Sequence, residues 1–252
     1  MPAPASGPQS VDRALDILDA VAEAARPVSA KALARRLGCS LSTVYHLLGP
    51  LTVRGHLMRT GDGYVTGPRA VALHRSFRRH LRVHPGTAEL MRRVRETAGL
   101  PAYLTAYRDG RITMIDSTNP ATDLDDPFTP GPEVRAHATA HGKMLLAQLP
   151  RAARHRYLDT HGMARLTERT ITSADRFDAE LARVRGDGVA VSIGEADPAY
   201  ACLAVPLAPP DAGPGRVAHA LSVSLPAEDF PRRHGEVRAV LTREAARLGP
   251  GG

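Results

Sequence analysis

Polar side chains cluster at the start of one short helix in the first third of the chain. They lie in the stretch LARRLGCSLSTVYHLLGPL and are Ser42, Thr43, Tyr45 and His46. Each can donate or accept a hydrogen bond, and the neighbouring Leu41 could contact a thymine methyl group. In a helix-turn-helix, residues at the start of the second helix reach base edges while flanking elements hold the phosphates. The cluster therefore predicts readout of duplex DNA.

Positive charge accompanies this cluster. The nearby residues suited to phosphate contact are Ser29, Lys31, Arg35, Arg36, Arg54 and Arg59. Residues 1–83 hold 12 Lys+Arg against 5 Asp+Glu, whereas residues 84–252 hold 21 of each, so the net charge of +7 arises in the first third. Phosphate neutralisation supplies most non-specific affinity for DNA. For any single residue, a helix cap or a solvated charged face is an equally good interpretation; the combination favours double-stranded DNA as the partner.

Three helices are predicted around the cluster. Ser10 is expected to cap the first, whose apolar face is Val11, Leu15, Leu18, Val21 and Ala25. Ser29 is expected to cap the second, which Gly38 ends in a left-handed conformation. The third begins near Ser40 and buries Val44, Leu47, Leu48 and Leu51. The pair Gly49-Pro50 lies inside that helix, and Pro50 should bend or end it because proline removes one backbone hydrogen bond.

A wing, a linker and a larger domain are predicted to follow. Gly61-Asp62-Gly63 between two short β-type runs indicates a tight hairpin. The stripe Leu73, Phe77 and Leu81 predicts a linker helix that packs against a twin helix. Later antiparallel hairpins, with helices segregated around them, predict an α+β domain. The predicted boundaries are 1–9 for a disordered N-terminus, 10–67 for a winged helix-turn-helix, 68–84 for the linker and 85–252 for the second domain.

Several protein classes are disfavoured by composition. The two cysteines, Cys39 and Cys202, form no C-x-x-C pair, which excludes a structural zinc of cysteine type and fits a reducing compartment. No apolar run is long enough to span a bilayer, and the start MPAPASGPQS lacks the charged and apolar regions of a signal peptide. The expectation is a cytoplasmic protein with no cofactor and no bound metal.

The chain resembles the IclR family of transcriptional regulators over essentially its full length. The stretches that carry the resemblance are SVDRALDILDAVAEAARPVSAKALARRLGCSLSTVYHLLGPL, YVTGPRAVAL, HATAHGKMLLAQLP, LTERTIT, ACLAVPL and ALSVSLP. The resemblance implies a winged helix-turn-helix, a dimerising linker helix and a GAF-like C-terminal domain that binds a small effector. It also implies a homodimer or dimer of dimers that represses or activates at near-palindromic operators.

The resemblance also implies an effector site. Its residues in this chain are the backbone of Ala140 and His141, then Ser192, Cys202, Ser222 and Ser224. A helix N-terminus with hydroxyls and a thiol suits a small carboxylate. Ser192 stands where many relatives carry an acidic residue, with Glu195 as the nearest carboxylate, and His141 stands where most have a small residue.

Three alternatives accompany this interpretation. The second domain could have lost its ligand and serve only for oligomerisation. Cys202 could act as a nucleophile with His141 or His137 as base, although a small buried residue on a strand is the simpler assignment. His137 and His141 could hold a metal with Glu195 or Cys202, but His137 is expected to precede the helix capped by Thr139, so the spacing does not ensure the geometry.

Overall fold

The computed structural model describes residues 8–119, 133–207 and 218–248. The chain divides into two compact units, Met1–Arg79 and His80–Gly252. The predicted domain boundaries after residues 67 and 84 stay predictions. Of the N-terminus predicted to be disordered, residues 1–7 lie outside the described residues, while Gln9 already belongs to the first helix.

The first unit contains three helices and a hairpin before the helix that leads out of it. In chain order the elements are α1 (Gln9–Ala22), α2 (Ala30–Leu37), α3 (Leu41–Val53), β1 (Leu57–Arg59), β2 (Tyr64–Thr66) and α4 (Arg69–His80). Hydroxyl caps start α2 and α3: Ser29 Oγ accepts the N–H of Ala32 and Ser40 Oγ accepts that of Thr43. Each cap satisfies a backbone donor that has no partner inside its helix.

The core of the first unit overturns part of the prediction for α1. The helix follows Pro8 and begins at Gln9, so Ser10 is not its cap. Val11 and Leu15 are exposed, whereas Ile17 and Ala20 are buried with Val21 against α2 and α3. Helix α1 carries apolar residues on two sides. Which side is buried depends on the neighbouring helices and not on the sequence of α1 alone.

Helix α3 continues through Pro50 to Val53, so of the two predicted effects of proline, a bend or an end of the helix, the end is wrong. Proline removes only the hydrogen bond to the carbonyl of His46, and both of these residues are exposed, where water can replace that bond. The helix resumes its pattern immediately: Arg54 N–H donates to the Pro50 carbonyl, and the Thr52 hydroxyl donates to the Leu48 carbonyl.

The hairpin of β1 and β2 forms the predicted wing. Met58 pairs with Val65 in an antiparallel register. Tyr64 also exchanges two backbone hydrogen bonds of 2.9 Å with Val28, the residue before the cap of α2. A Cβ on Gly63 would lie 2.6 Å from the Val28 carbonyl oxygen, so only glycine permits this approach. The wing is thereby fastened to the start of α2.

The second unit contains a five-stranded antiparallel sheet with helices on both faces. Its elements are α5 (Thr87–Ala98), β3 (Ala102–Arg108), β4 (Arg111–Ser117), a 3-10 helix (Glu133–Ala138), α6 (Ala140–Ala147), α7 (Arg151–His161), α8 (Ala174–Asp187), β5 (Ala190–Ile193), β6 (Tyr200–Leu207), β7 (Ala218–Pro226) and α9 (Phe230–Ala246). The strand order is β4-β3-β7-β6-β5, with every pairing antiparallel. The predicted α+β class is confirmed, and α7 was not predicted.

The two faces of the sheet build two separate cores. On one face, large aliphatic residues of the central strands, such as Leu203 and Leu221, pack with α5 and α9. On the other face, the strands present small residues, such as Ala204 and Ala220, beneath α6 and α8. Because side chains alternate along a strand, this division follows from the alternation of large and small residues in ACLAVPL and ALSVSLP.

The predicted stripe of the linker helix is interrupted. Helix α4 ends at His80, and Leu81 lies beyond it, buried in the core of the second unit. Leu73 and Phe77 are exposed on α4. Arg82 follows with a φ of 50°, a left-handed conformation that breaks the helical path. Leu81 is therefore a core residue and not part of a helix seam.

Candidate nucleic-acid interface and effector site

Helix α3 presents one exposed face, which we call the reading face. Its residues are Leu41, Ser42, Tyr45, His46 and Gly49, all exposed. They fall on one side because successive helical residues turn by about 100°, while Val44 and Leu48 point into the core. Thr43 lies at the edge: it is half-buried, and its hydroxyl lies 2.8 Å from Ser40 Oγ. Of the predicted readout residues, Thr43 is therefore the one already engaged in the helix cap.

Gly49 belongs to the reading face, although the sequence analysis treated it only as part of a helix-breaking pair. A Cβ at this position would meet no atom within 4 Å. The absent side chain leaves the middle of the face open for close approach of a partner surface. Its spacing of four residues from Tyr45 was the signal that could have identified it.

The predicted phosphate contacts differ in how they are placed. Lys31, Arg35, Arg54 and Arg59 are exposed. Arg36 forms an ion pair with Glu23, with 2.5 Å between Nη2 and Oε2 and both side chains substantially exposed. The Ser29 hydroxyl serves as the cap of α2, whose N-terminal backbone amides lie next to it. The cationic groups thus lie on the same unit as the reading face.

The predicted effector residues on the sheet form a row across three strands, the serine row: Ser192, Cys202 and Ser224. Ser192 pairs with Cys202 across β5 and β6, and Cys202 pairs with Ser224 across β6 and β7. All three are buried on the face covered by α6. Ser222 lies one step further along β7 on the same face, paired with Ala204. The structure therefore brings the predicted sheet residues together.

The start of α6 lies against this face. The Thr139 hydroxyl accepts the N–H of Gly142 and caps the helix, as predicted. Ala140 is fully buried, and a Cβ on Gly142 would overlap the carbonyl group of Ala136. The glycine of the HGK sequence is needed because the 3-10 helix passes so close to α6. Helix N-terminal amides and the positive end of the helix dipole favour an anion at this end.

The hydroxyls of the serine row are not equivalent. Ser192 Oγ donates a 2.6 Å hydrogen bond to the Ala138 carbonyl and so ties β5 to the segment before α6. Ser224 Oγ is buried with no hydrogen-bond partner among the described residues. A buried hydroxyl without a partner costs free energy that a bound ligand would recover. Ser224 is thus the hydroxyl of the row that can receive a ligand.

His141 is neutral at this site at physiological pH. Its Nε2 lies 3.3 Å from the Thr139 hydroxyl oxygen. Burial lowers the pKa of His141 to about 4. The ring therefore offers a hydrogen bond rather than a full positive charge.

Glu195 takes part in a buried ion cluster that the sequence pattern did not reveal. Lys143 Nζ lies 2.5 Å from Glu195 Oε1 and 3.1 Å from Glu180 Oε1, and it donates to the Val191 carbonyl at 3.0 Å. Lys143 is almost completely buried, and Arg183 pairs with Glu180 on its outer side. Burial raises the pKa of the Glu195 carboxyl, whereas hydrogen bonds and ion pairing with Arg183 and Lys143 outweigh desolvation and lower that of Glu180. The signal in the sequence was Lys143 of HGK, a charged residue on a helix whose other residues are mostly apolar.

The metal alternative gains no geometric support from the described residues. His137 Nε2 lies 2.9 Å from the Ala164 carbonyl oxygen, and burial lowers the pKa of His137. Among the described residues, no three His, Cys, Asp or Glu side chains gather as a metal ion would require.

Within the described ranges, no helix combines the length and apolar character needed to cross a membrane.

Comparison with protein families covers both units. Residues 10–61 match the IclR helix-turn-helix domain, and residues 78–248 match the bacterial transcriptional regulator IclR C-terminal domain. The transcriptional repressor IclR of Escherichia coli is 30% identical over 210 residues, which are 80% of this chain and 76% of that protein. The two matches follow the same order along the chain as the two compact units.

Solved structures share the fold. The IclR protein of Thermotoga maritima aligns with a TM-score of 0.71 at 22% identity, covering 96% of this chain and 99% of that one. An IclR homologue from Microbacterium hydrocarbonoxydans, in complex with 4-hydroxybenzoate, aligns with a TM-score of 0.63 at 19% identity, covering 95% and 97%.

Proposed function

Because the chain belongs to the IclR family and is a transcriptional regulator rather than an enzyme, we propose that the reading face of α3 recognises its operator. Ser42, Tyr45 and His46 would contact base edges in the major groove, and Leu41 a thymine methyl group. Thr43, the edge residue, would contribute to recognition by holding the start of α3 through its contact with the Ser40 cap. The exposed side chains on a capped helix are the observation that carries the proposal.

The basic residues of the first unit would hold the phosphates. Lys31, Arg35, Arg54 and Arg59 are exposed and can approach the DNA backbone directly. Arg36 would exchange Glu23 for a phosphate, and the amides after Ser29 would bind another. A regulator acts where the chromosome lies, so the proposal places the protein in the cytoplasm.

A small organic acid is the effector that the second unit fits best. The N-terminus of α6 at Ala140 and His141 favours a negative charge. Ser224 supplies a buried hydroxyl that has no hydrogen-bond partner in the described part of the chain, and Ser222 and Cys202 lie beside it. Ser192 places an uncharged hydroxyl at a position where a carboxylate would repel a bound anion. The 4-hydroxybenzoate complex of the Microbacterium hydrocarbonoxydans homologue supports a carboxylate as the first compound class to test, and the ligand-free alternative is not favoured.

Oligomerisation is proposed through apolar residues that the monomer leaves exposed. Val11 and Leu15 lie exposed on α1, as do Leu73 and Phe77 on α4. Paired apolar stripes on helices are a common dimer seam. A two-fold dimer, or a dimer of dimers, would present two α3 helices to a near-palindromic operator.

Selection from a random DNA library with the full-length chain tests the proposal. We expect enrichment of a near-palindromic sequence, and binding that weakens steeply with salt because phosphate contacts release counterions. The variant Ser42→Ala/Tyr45→Ala should lose the enriched sequence while retaining salt-sensitive binding to random DNA. Recovery of the same sequence by this variant, or no salt-dependent binding by the unmodified chain, would overturn the assignment.

A further inference from the structure

Two side chains of the second unit hold the backbone where the chain enters that unit. The guanidinium of Arg108 donates to the His80 carbonyl. His219 Nε2 lies 2.9 Å from the Leu81 carbonyl oxygen. The boundary between the two units falls at Arg79 and His80. We call the consecutive carbonyl groups of His80 and Leu81 the junction; they belong to the first residues of the second unit.

The bond from His219 has a defined direction. A carbonyl oxygen can only accept, so Nε2 must carry the proton. His219 is buried, and burial lowers its pKa, so the ring is neutral and the Nε2–H tautomer is held in place by this one acceptor. The Leu81 side chain is buried next to it in the core. The junction is therefore fixed by a hydrogen bond in a dry environment, where such bonds are strong.

The same residue is connected to α6, whose other end forms part of the effector site. Gln148 follows the last residue of α6, and its Nε2 donates to the His219 carbonyl at 3.3 Å and to the Met144 carbonyl at 3.2 Å. Helix α6 is eight residues long, a stiff element of about 12 Å. A displacement of its start by a ligand would reach Gln148 and the backbone of His219.

Strand β7 gives His219 a second connection to the effector site. His219 and Ser222 lie three residues apart on this strand, with His219 facing the junction and Ser222 facing α6. A shift of β7 caused by a ligand at Ser222 or Ser224 moves both faces together, because the strand is bonded on each side to β3 and β6. Both connections converge on one residue, His219.

We propose that His219 is a positioning residue that transmits the state of the effector site to the junction, and thereby to the DNA-binding unit. This rests on the proposed function. His219 is assigned no contact with effector or DNA; it acts through the Leu81 carbonyl. Effector binding displaces α6 and β7, which alters the bond from His219 and with it the direction in which the chain leaves the second unit.

The test uses the full-length chain with His219→Leu, His219→Gln, Gln148→Leu and the control His137→Leu. The control removes a matched interaction, since His137 is also buried and its Nε2 lies 2.9 Å from a backbone carbonyl, that of Ala164. Glutamine can place an N–H donor near the position of Nε2, whereas leucine cannot. Trypsin cleavage after Arg82, an exposed residue, reports opening of the junction.

We expect His219→Leu to accelerate cleavage after Arg82 by about tenfold, as loss of one buried hydrogen bond implies, while His219→Gln and the control stay near the unmodified rate. Affinity for the selected operator should change by about fivefold or more in His219→Leu and Gln148→Leu, the usual scale of coupling between sites. The control should leave that affinity unchanged.

Equal cleavage rates and equal operator affinities for His219→Leu and His137→Leu would overturn the proposal. So would failure of His219→Gln to restore either measurement, because the side-chain volume and not the donor would then matter. If the unmodified chain bound no DNA, the proposed function would fail, and the cleavage rates alone would decide whether His219 holds the junction.

Discussion

The Lys143 ammonium lies 2.5 Å from Oε1 of Glu195, the carboxylate nearest to the proposed effector site, and pairs with its charge. With Glu195 in the ion cluster and Ser192 bonded to the Ala138 carbonyl, the serine row presents hydroxyl and thiol groups rather than an acid. Such a row carries no negative charge that would oppose a bound anion. The ion cluster therefore bears on specificity as well as on stability.

Lys143→Met should destabilise the second unit strongly. The substitution leaves Glu180 and Glu195 without their shared buried cation, a loss that typically costs about 3–5 kcal/mol of unfolding free energy. Chemical denaturation would measure it. Lys31→Met, at an exposed lysine, is the matched control and should change stability little. Equal stabilities of the two variants would show that the cluster contributes nothing to the fold.

Stability should fall below neutral pH partly because of His141. Its pKa is lowered to about 4 from an ordinary 6.5, so the unfolded chain binds the proton more readily between these values. The contribution of His141 is fully present above pH 6.5 and is lost as the pH falls to 4, up to about 3 kcal/mol. His141→Gln should show a flatter denaturation profile over this range. Identical pH profiles would contradict the burial of the ring.

Two alanine substitutions in the serine row should have opposite effects. Ser224→Ala removes a buried hydroxyl without a partner and should leave the ligand-free protein unchanged or more stable by about 1 kcal/mol. Ser192→Ala removes the bond to the Ala138 carbonyl and should destabilise it by about 1 kcal/mol. Thermal unfolding distinguishes them.

Substitutions at Ser224 and Ser222 test the effector site. Any carboxylate that raises the melting temperature of the unmodified chain should do so less with Ser224→Ala, and Ser222→Ala should abolish the effect if Ser222 contacts the ligand. Thr172→Ala, at an exposed position outside the site, is the control. A ligand-induced shift that survives both serine substitutions would exclude Ser222 and Ser224 as contacts.

Substitutions in the first unit should separate base readout from phosphate binding. Tyr45→Ala should reduce discrimination between operator and random DNA, by about 1–3 kcal/mol if it contacts a base. Arg35→Ala should weaken binding to both DNAs alike and lower the salt slope by about 1. Fluorescence anisotropy at several salt concentrations measures both quantities. Equal losses on the two DNAs for Tyr45→Ala would remove it from base readout.

Glu23→Gln should strengthen binding to any duplex. Glu23 occupies the guanidinium of Arg36 in the free protein, so a phosphate must displace it. Because the pair is exposed, it contributes no more than about 1 kcal/mol, and the gain in affinity should be correspondingly small. The double variant Glu23→Gln/Arg36→Ala should lose this gain. A gain that persists in the double variant would mean that Glu23 acts by general repulsion of DNA.

Local signals predicted local structure well. Ser29 and Thr139 were predicted as caps because a hydroxyl before a helix satisfies amides within three residues, without help from the rest of the fold. The hairpin at Gly61-Asp62-Gly63 was predicted for the same kind of reason, since glycine and aspartate between two short strands favour a tight turn.

Features that depend on distant partners were missed. Helix α7 buries Arg154, which a sequence pattern counts as polar, because Asp178 on α8 accepts its hydrogen bonds. Lys143 is buried for the same kind of reason, with partners 37 and 52 residues away. Val11 and Leu15 were assigned to a core they do not join. In each case the deciding contact lies on another element, so periodicity alone cannot show it.

The two hydrogen bonds between Val28 and Tyr64 join the wing to the start of α2, so that the two form a single block. Elements joined in this way cannot slide independently along a duplex. In the proposed complex, the spacing between the bases contacted by α3 and the phosphates contacted by the wing would therefore be fixed within this unit. Operators of different spacing would then have to be accommodated by the connection between two such units in the proposed oligomer.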